Sequence, residues 1–210
     1  RGHQALNNLD YCPAGSGSVN GSSLPIDKIR LTELLGFNAS AIHSRDAMWQ
    51  PDVPIEIVSF LSISLMNLSR LCEEWIVWNS KEFNLIELPD EFCRASVIMP
   101  QKKNPYPLAY LRGLSSNISS LHSEFASLGK VCSGFPDSRT FVYDSMISAI
   151  DRSGLGITML AVLISKVEFN EKRMLDLAKK SYGFSTDIAD YLILGGHCDY
   201  RTAHNIVGQV

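Results

Sequence analysis

A chain of 210 residues, 45% hydrophobic and 20% charged, can bury one sizeable core or two modest ones and is too apolar to stay disordered. Its formal charge of -3, with no lysine/arginine stripe, excludes the electrostatic footprint of a nucleic-acid binder or of a protein held on anionic lipid. Cys12, Cys72, Cys93, Cys132 and Cys198 are odd in number and widely spaced, without Cys-x-x-Cys or paired-His spacing, which suits free thiols in a reducing compartment and no metal site.

Residues 1 to 10 read as the tail of a helix, ended by the Gly- and Ser-rich segment from Pro13 to Ser23, which suits a turn or a close backbone approach. Its Gly-x-Gly is not read as a phosphate loop, because no strand precedes it and no full fingerprint follows. Pro25-Ile26-Asp27 predicts the start of a short helix through Leu35, with Gly36 as C-cap. After Pro51 and Pro54 the longest apolar run extends from Ile55 to about Trp78 and covers more than one helical face. A helix of that kind must be buried on nearly all sides, so an oligomeric helix-bundle core is expected, a central helix of a monomeric bundle being the alternative.

Asn79 to Cys93 reads as an irregular connection. A second long helix is predicted from Pro107 to about Leu128 and a third from about Thr140 to Ser165, weakly interrupted by Gly154 and Gly156, with a break at Gly134-Phe135-Pro136 between them. Phe169-Asn170-Glu171 begins a set of short helices broken at Gly183 and at Gly195-Gly196. The fold class is therefore all-α, a long-helix bundle (1–167) followed by a small helical C-terminal domain (168–210). With no charged-then-apolar leader and no uninterrupted apolar stretch of about 20 residues, a cytoplasmic protein without a membrane partner is expected. His3, His43, His122, His197 and His204 each read as packed or solvated rather than catalytic.

Between the first two long helices lies Ser96-Val97-Ile98-Met99-Pro100-Gln101-Lys102-Lys103-Asn104-Pro105. A hydroxyl, two ammonium groups and a carboxamide, with two prolines denying a regular helix, point to a loop held over something anionic. In an extended loop Lys102 and Asn104 could face one way and donate to a carboxylate. Ser96 could move a proton only if nearby cations and backbone donors favoured its alkoxide. The same residues also fit a turn at Met99-Pro100 with solvated lysines.

This segment resembles the signature loop of the fumarase/aspartase superfamily, Gly-Ser-Ser-x-Met-Pro-x-Lys-x-Asn-Pro, and Met-Pro-Gln-Lys-Lys-Asn-Pro is the form typical of argininosuccinate lyases. Pro13-Ala14-Gly15-Ser16-Gly17-Ser18, Leu34-Leu35-Gly36-Phe37, Ser44-Arg45-Asp46 and Leu68-Ser69-Arg70-Leu71 resemble further stretches of that family in the same order, and Thr186 to Leu192 and Ala203 to Gly208 resemble its C-terminal helical domain. The resemblance implies a homotetramer with sites shared between subunits, acting on a small dicarboxylate-containing substrate without metal or organic cofactor. It assigns the catalytic acid or base to Ser96, substrate binding to Lys102 and Asn104, and the loop itself to Met99, Pro100 and Gln101. Measured against the family, a chain beginning at Arg1 is expected to be a piece of a longer protein, with the histidine base upstream.

Four departures qualify the match. Ala95 replaces the loop glycine, Val97 the second serine, and Ala109 a glutamate that supports the histidine base; Asp137 to Asp144 is shorter than the family's substrate-holding segment, with Arg139 a candidate substitute cation. Three functions remain open on the sequence: an argininosuccinate lyase-like carbon–nitrogen lyase, a superfamily lyase with another fumarate-yielding substrate, and a non-catalytic homologue serving as a structural or partner subunit.

Overall fold

The computed structural model describes residues 2–49, 51–132 and 136–209. Its first part is a short helix α1 (Gly2–Asn8), then β1 (Tyr11–Cys12), helix α2 (Lys28–Leu35), β2 (Ala39–Ser40), which pairs parallel with β1, and α3 (Ser44–Trp49). The glycines of the intervening segment do what the composition requires. Gly15, Gly17 and Gly21 all take positive φ, and a Cβ on Gly17 would lie 2.1 Å from the Gly21 carbonyl oxygen, so only glycine fits there. Helix α2 starts later than predicted: Asp27 is its N-cap, accepting from the Arg30 N–H at 2.9 Å, and Pro25 lies outside. Gly36 closes the helix in the left-handed conformation, as expected.

The long helices are α4 (Asp52–Trp78), α5 (Tyr106–Leu128) and α6 (Thr140–Ile164). Pro54 and Pro107 are accommodated in the first turns, where a missing N–H would have had no helical partner. The three pack on one another with α5 in contact with both neighbours. Gly129, just past α5, lies against Pro51 at the head of α4, so α5 runs back along α4. Val58, Leu65, Leu111, Ile118, Phe125 and Leu160 are among the side chains that fill the interior. Each such aliphatic or aromatic group contributes about 1.5–3 kcal/mol by leaving water. Gly154 and Gly156 do not interrupt α6, contrary to the sequence expectation: a Cβ on Gly156 would come within 2.9 Å of methyls of Leu111 and Leu114, and this close approach outweighs the weak helix propensity. Residues 133–135, including the expected break at Gly134 and Phe135, lie outside the described residues.

Burial of α4 and α6 within the chain is one-sided. Phe60, Ile63 and Met66 of α4 and Ile147, Ile150 and Leu155 of α6 are exposed, although the sequence demanded cover nearly all round. By length and composition the helices at 52–78 and 137–164 also qualify as bilayer spans, which the sequence reading missed because serines and charges interrupt both runs.

After α4 the chain forms β3 (Ile86–Glu87), a 3-10 turn (Asp90–Phe92), β4 (Arg94–Ala95) and β5 (Lys103–Asn104) before α5. After α6 come β6 (Glu168–Phe169), α7 (Glu171–Lys180), α8 (Ser185–Leu194) and α9 (Tyr200–Val207). Asn170 and Asp199 cap α7 and α9, their side chains accepting from the N–H groups of Arg173 and Thr202. This last part is stapled to the segment after α4: β6 pairs antiparallel with β3, Asn170 N–H donates to the Leu85 carbonyl, and the Arg173 guanidinium donates to the carbonyls of Phe83 and Glu82.

Candidate active site

The polar segment between α4 and α5 folds as a hairpin rather than a free loop. Strands β4 and β5 pair antiparallel, Arg94 with Asn104 and Ala95 with Lys103, and the Ser96 N–H donates to the Lys102 carbonyl at 3.2 Å. Within the turn the Lys102 N–H donates to the Met99 carbonyl at 3.0 Å. Ala95 sits in extended backbone with φ outside the left-handed region, so the glycine expected at this place is not needed for the chain to turn.

Ser96 is half-buried at the start of the turn, and its Oγ accepts two backbone hydrogen bonds, from Ile98 N–H at 3.3 Å and Met99 N–H at 3.1 Å. Two donors on one hydroxyl oxygen favour a developing negative charge there. The Asn104 carboxamide donates to the Arg94 carbonyl at 3.2 Å, which orients its Nδ2 and leaves the second N–H to another acceptor. Lys102 is exposed, and its ammonium makes no ion pair or hydrogen bond among the described residues. Its neighbour Lys103 instead pairs with Asp90, whose carboxylate accepts from it and holds the Lys103 ammonium above its ordinary pKa. Arg94 stacks 5.4 Å from the centre of the Tyr106 ring at the hairpin base.

The tip is apolar and solvated. Val97 is 98% and Ile98 89% exposed, followed by Met99, Pro100 and Gln101, all exposed. Ala109 lies on the exposed side of the first turns of α5, where a longer acidic side chain has room and would face the positive end of the helix. Three of the expected site residues, Ser96, Lys102 and Asn104, therefore share one hairpin of about nine residues.

A second concave region, a cavity of about 840 Å³, opens at the other end of the bundle. Its wall includes Phe37, His43 and Asp46, the head of α4, Leu128 at the end of α5 and Gly129 just past it, and Arg139 before α6. His43 Nδ1 stands 3.6 Å from the Asp46 carboxylate, and the Arg45 guanidinium donates to Asn20 Oδ1 at 2.9 and 2.7 Å, joining α3 to the glycine-rich segment. Sequence reasoning set His43 aside and quoted Ser44-Arg45-Asp46 only as a point of resemblance; nothing in the spacing of residues 43 and 139 could have shown that they share a wall. With 23 residues in α5, the cavity and the hairpin lie about 35 Å apart within one chain. Among the described residues no three His, Cys, Asp or Glu side chains gather to hold a metal ion.

Residues 1–120 match the lyase family. The argininosuccinate lyase of Lachnospira eligens is 37% identical over 212 residues, covering 99% of this chain and 45% of that protein. That of Caldanaerobacter subterraneus subsp. tengcongensis is 34% identical over 213 residues, covering 98% of this chain and 47% of that protein. Among solved structures, an EDDS lyase variant with bound fumarate superposes with a TM-score of 0.81 at 27% identity, over 98% of this chain and 41% of that one. A class II fumarase from Schistosoma mansoni superposes at 0.79 with 16% identity over 98% of this chain and 47% of its own, a likeness of fold. The chain thus spans less than half the length of each of these proteins.

Proposed function

The chain belongs to the lyase family of the fumarase/aspartase superfamily, and from that membership we propose that it is the loop-bearing part of a carbon–nitrogen lyase that splits a succinyl adduct of an amine, argininosuccinate in the first instance, into the free amine (arginine) and fumarate. The observation that carries this reading is the hairpin, in which a serine oxygen held by two backbone donors, an unpaired ammonium and an oriented carboxamide stand within nine residues.

The chemical demand is the removal of a proton from the carbon beside a carboxylate. The electron pair left behind spreads into that carboxylate as an aci-carboxylate dianion, then collapses to expel the protonated nitrogen as the double bond of fumarate forms. The second negative charge on the carboxylate is the barrier, and preorganised donors lower it. Lys102 and Asn104 supply an ammonium and an N–H for that carboxylate, and Ser96 gives or takes the proton. A histidine base from another part of the assembly completes the reaction, and no metal or organic cofactor enters it.

The working form is a homotetramer whose sites are shared between subunits. Two features support it: the exposed apolar faces of α4 and α6 need a partner, and the hairpin and the cavity of one chain stand too far apart to hold one small molecule. Two copies packed with α4 and α5 antiparallel bring one copy's hairpin to the other's cavity. We divide the chain into the bundle (1–167) and a small C-terminal helical domain (168–210), and place the protein in the cytoplasm, where its free cysteines stay reduced.

Fumarate release from argininosuccinate by the full-length protein, followed by ultraviolet absorbance, tests the reading. Activity that falls at least about a hundredfold in Ser96→Ala supports it, and full activity in that variant removes the hairpin mechanism. The segment at 137–144, shorter than the family's substrate-holding one, and Val97, apolar and exposed where the family has a second serine, favour a second reading in which another fumarate-yielding compound is the substrate; a panel of aspartate and succinate adducts decides between them. Ala109, in the place of the family's supporting glutamate, favours a non-catalytic subunit if no adduct yields fumarate. Activity gained by Ala109→Glu would then mark a decayed site.

A further inference from the structure

The 3-10 turn Asp90–Phe92 directs all its side chains to other elements. Asp90 accepts from Lys103, thirteen residues on and in the returning strand of the hairpin. Glu91 accepts from Lys166, seventy-five residues on and just past the end of α6. The Lys166 ammonium also lies 5.7 Å from the centre of the Phe92 ring. Two adjacent carboxylates thus tie the hairpin on one side and the bundle on the other to a single turn. Of the two lysines in the segment, one has its charge compensated by this arrangement and the other does not.

We propose that Asp90 and Glu91 are positioning residues for the hairpin: together they moor its returning strand to the end of α6, and they leave Lys102 as the ammonium available to the substrate carboxylate. The role rests on the lyase reading above for its purpose, though not for its geometry. Both ion pairs are exposed, with side-chain exposures of 54% and 78% for Lys103 and Asp90 and of 47% and 56% for Lys166 and Glu91, so solvent screens them and they add little to the stability of the fold. What a weak pair can do is bias a hairpin between a seated and a released arrangement, and the pairs at issue shift such a balance by about two- to fivefold. Within one chain, burial of the hairpin is too slight to fix its seat by packing, since the side chains of its tip are almost wholly uncovered there.

The test uses the full-length protein and two independent readouts. Hydrogen exchange of the Ser96 and Lys102 amides, both bonded inside the hairpin, reports how often its strands part once the returning strand loses its mooring at Lys103, and steady-state fumarate release reports kcat and KM. Asp90→Asn and Glu91→Gln are expected to speed exchange of those two amides by about two- to fivefold and to lower kcat by a similar factor, with exchange in the middle of α5 and the thermal midpoint unchanged. The reversed pair Asp90→Lys with Lys103→Glu is expected to restore slow exchange that each single reversal loses. Unchanged hairpin exchange in both neutral variants, or a double reversal no better than the single ones, overturns the proposal. Should the parent protein release no fumarate while exchange still responds, the mooring stands and the lyase reading falls; fumarate release with unresponsive exchange keeps the lyase reading and removes the mooring.

Discussion

The interior of the α4–α5–α6 bundle and the hairpin that leaves its end are held by different forces. Inside the bundle, Val58, Leu111 and Phe125 exclude water almost completely, and their identity is dictated by volume and apolarity. In the hairpin, one pair of two-residue strands, two bonds to a serine oxygen and an exposed ion pair do the holding, and the side chains at the tip touch almost nothing. A region held by packing resists change, while one held by its backbone leaves its side chains available for chemistry.

Phe125 is the interior side chain whose loss is expected to cost most. Its replacement by Ala opens a void between the helices and is expected to lower stability by about 3–5 kcal/mol in urea unfolding; a loss under about 1 kcal/mol would mean that the interior is loosely filled. Thiol chemistry sharpens the same contrast. Burial in the bundle, opposed by the nearby Arg112 charge, pushes the Cys72 thiol up from 9.0 to about 11, which at neutral pH leaves about a hundredfold less reactive thiolate before access is considered. Iodoacetamide at pH 8 should label exposed Cys132 in the native protein and reach Cys72 only when urea unfolds the bundle. The smallest effect on stability is expected in the hairpin itself: Val97→Ser should leave the unfolding midpoint within about 0.5 kcal/mol of the parent, because a side chain already 98% exposed loses no packing. Any change it produces belongs to substrate preference, read as kcat/KM across the panel of adducts.

How far the sequence foretold each region follows from the same forces. Helices α4, α5 and α6 were legible to within a few residues because apolar spacing at the helical period is what packing requires. The late start of α2 was not, since Pro25-Ile26-Asp27 looks like a helix entry until the Asp27 cap is seen. The hairpin's residues stood out by their types and then by family resemblance, but its form did not: short strands of two residues have no periodicity to read, and the partner of Lys103 lies thirteen residues back on a separate turn. The cavity was invisible, because it is made by bringing residues near 43, 52, 128 and 139 to one end of a bundle, and helix length alone decides that meeting.

The backbone pairing of β4 with β5 has a consequence for how such proteins diversify. Because Arg94 and Asn104, Ala95 and Lys103 are matched through main-chain bonds, residues 97 to 101 can be exchanged over generations without displacing Ser96 or Asn104. Alanine at 95 and valine at 97 both sit in this frame without disturbing its pairing. Side chains at the tip can therefore change ahead of any loss of fold.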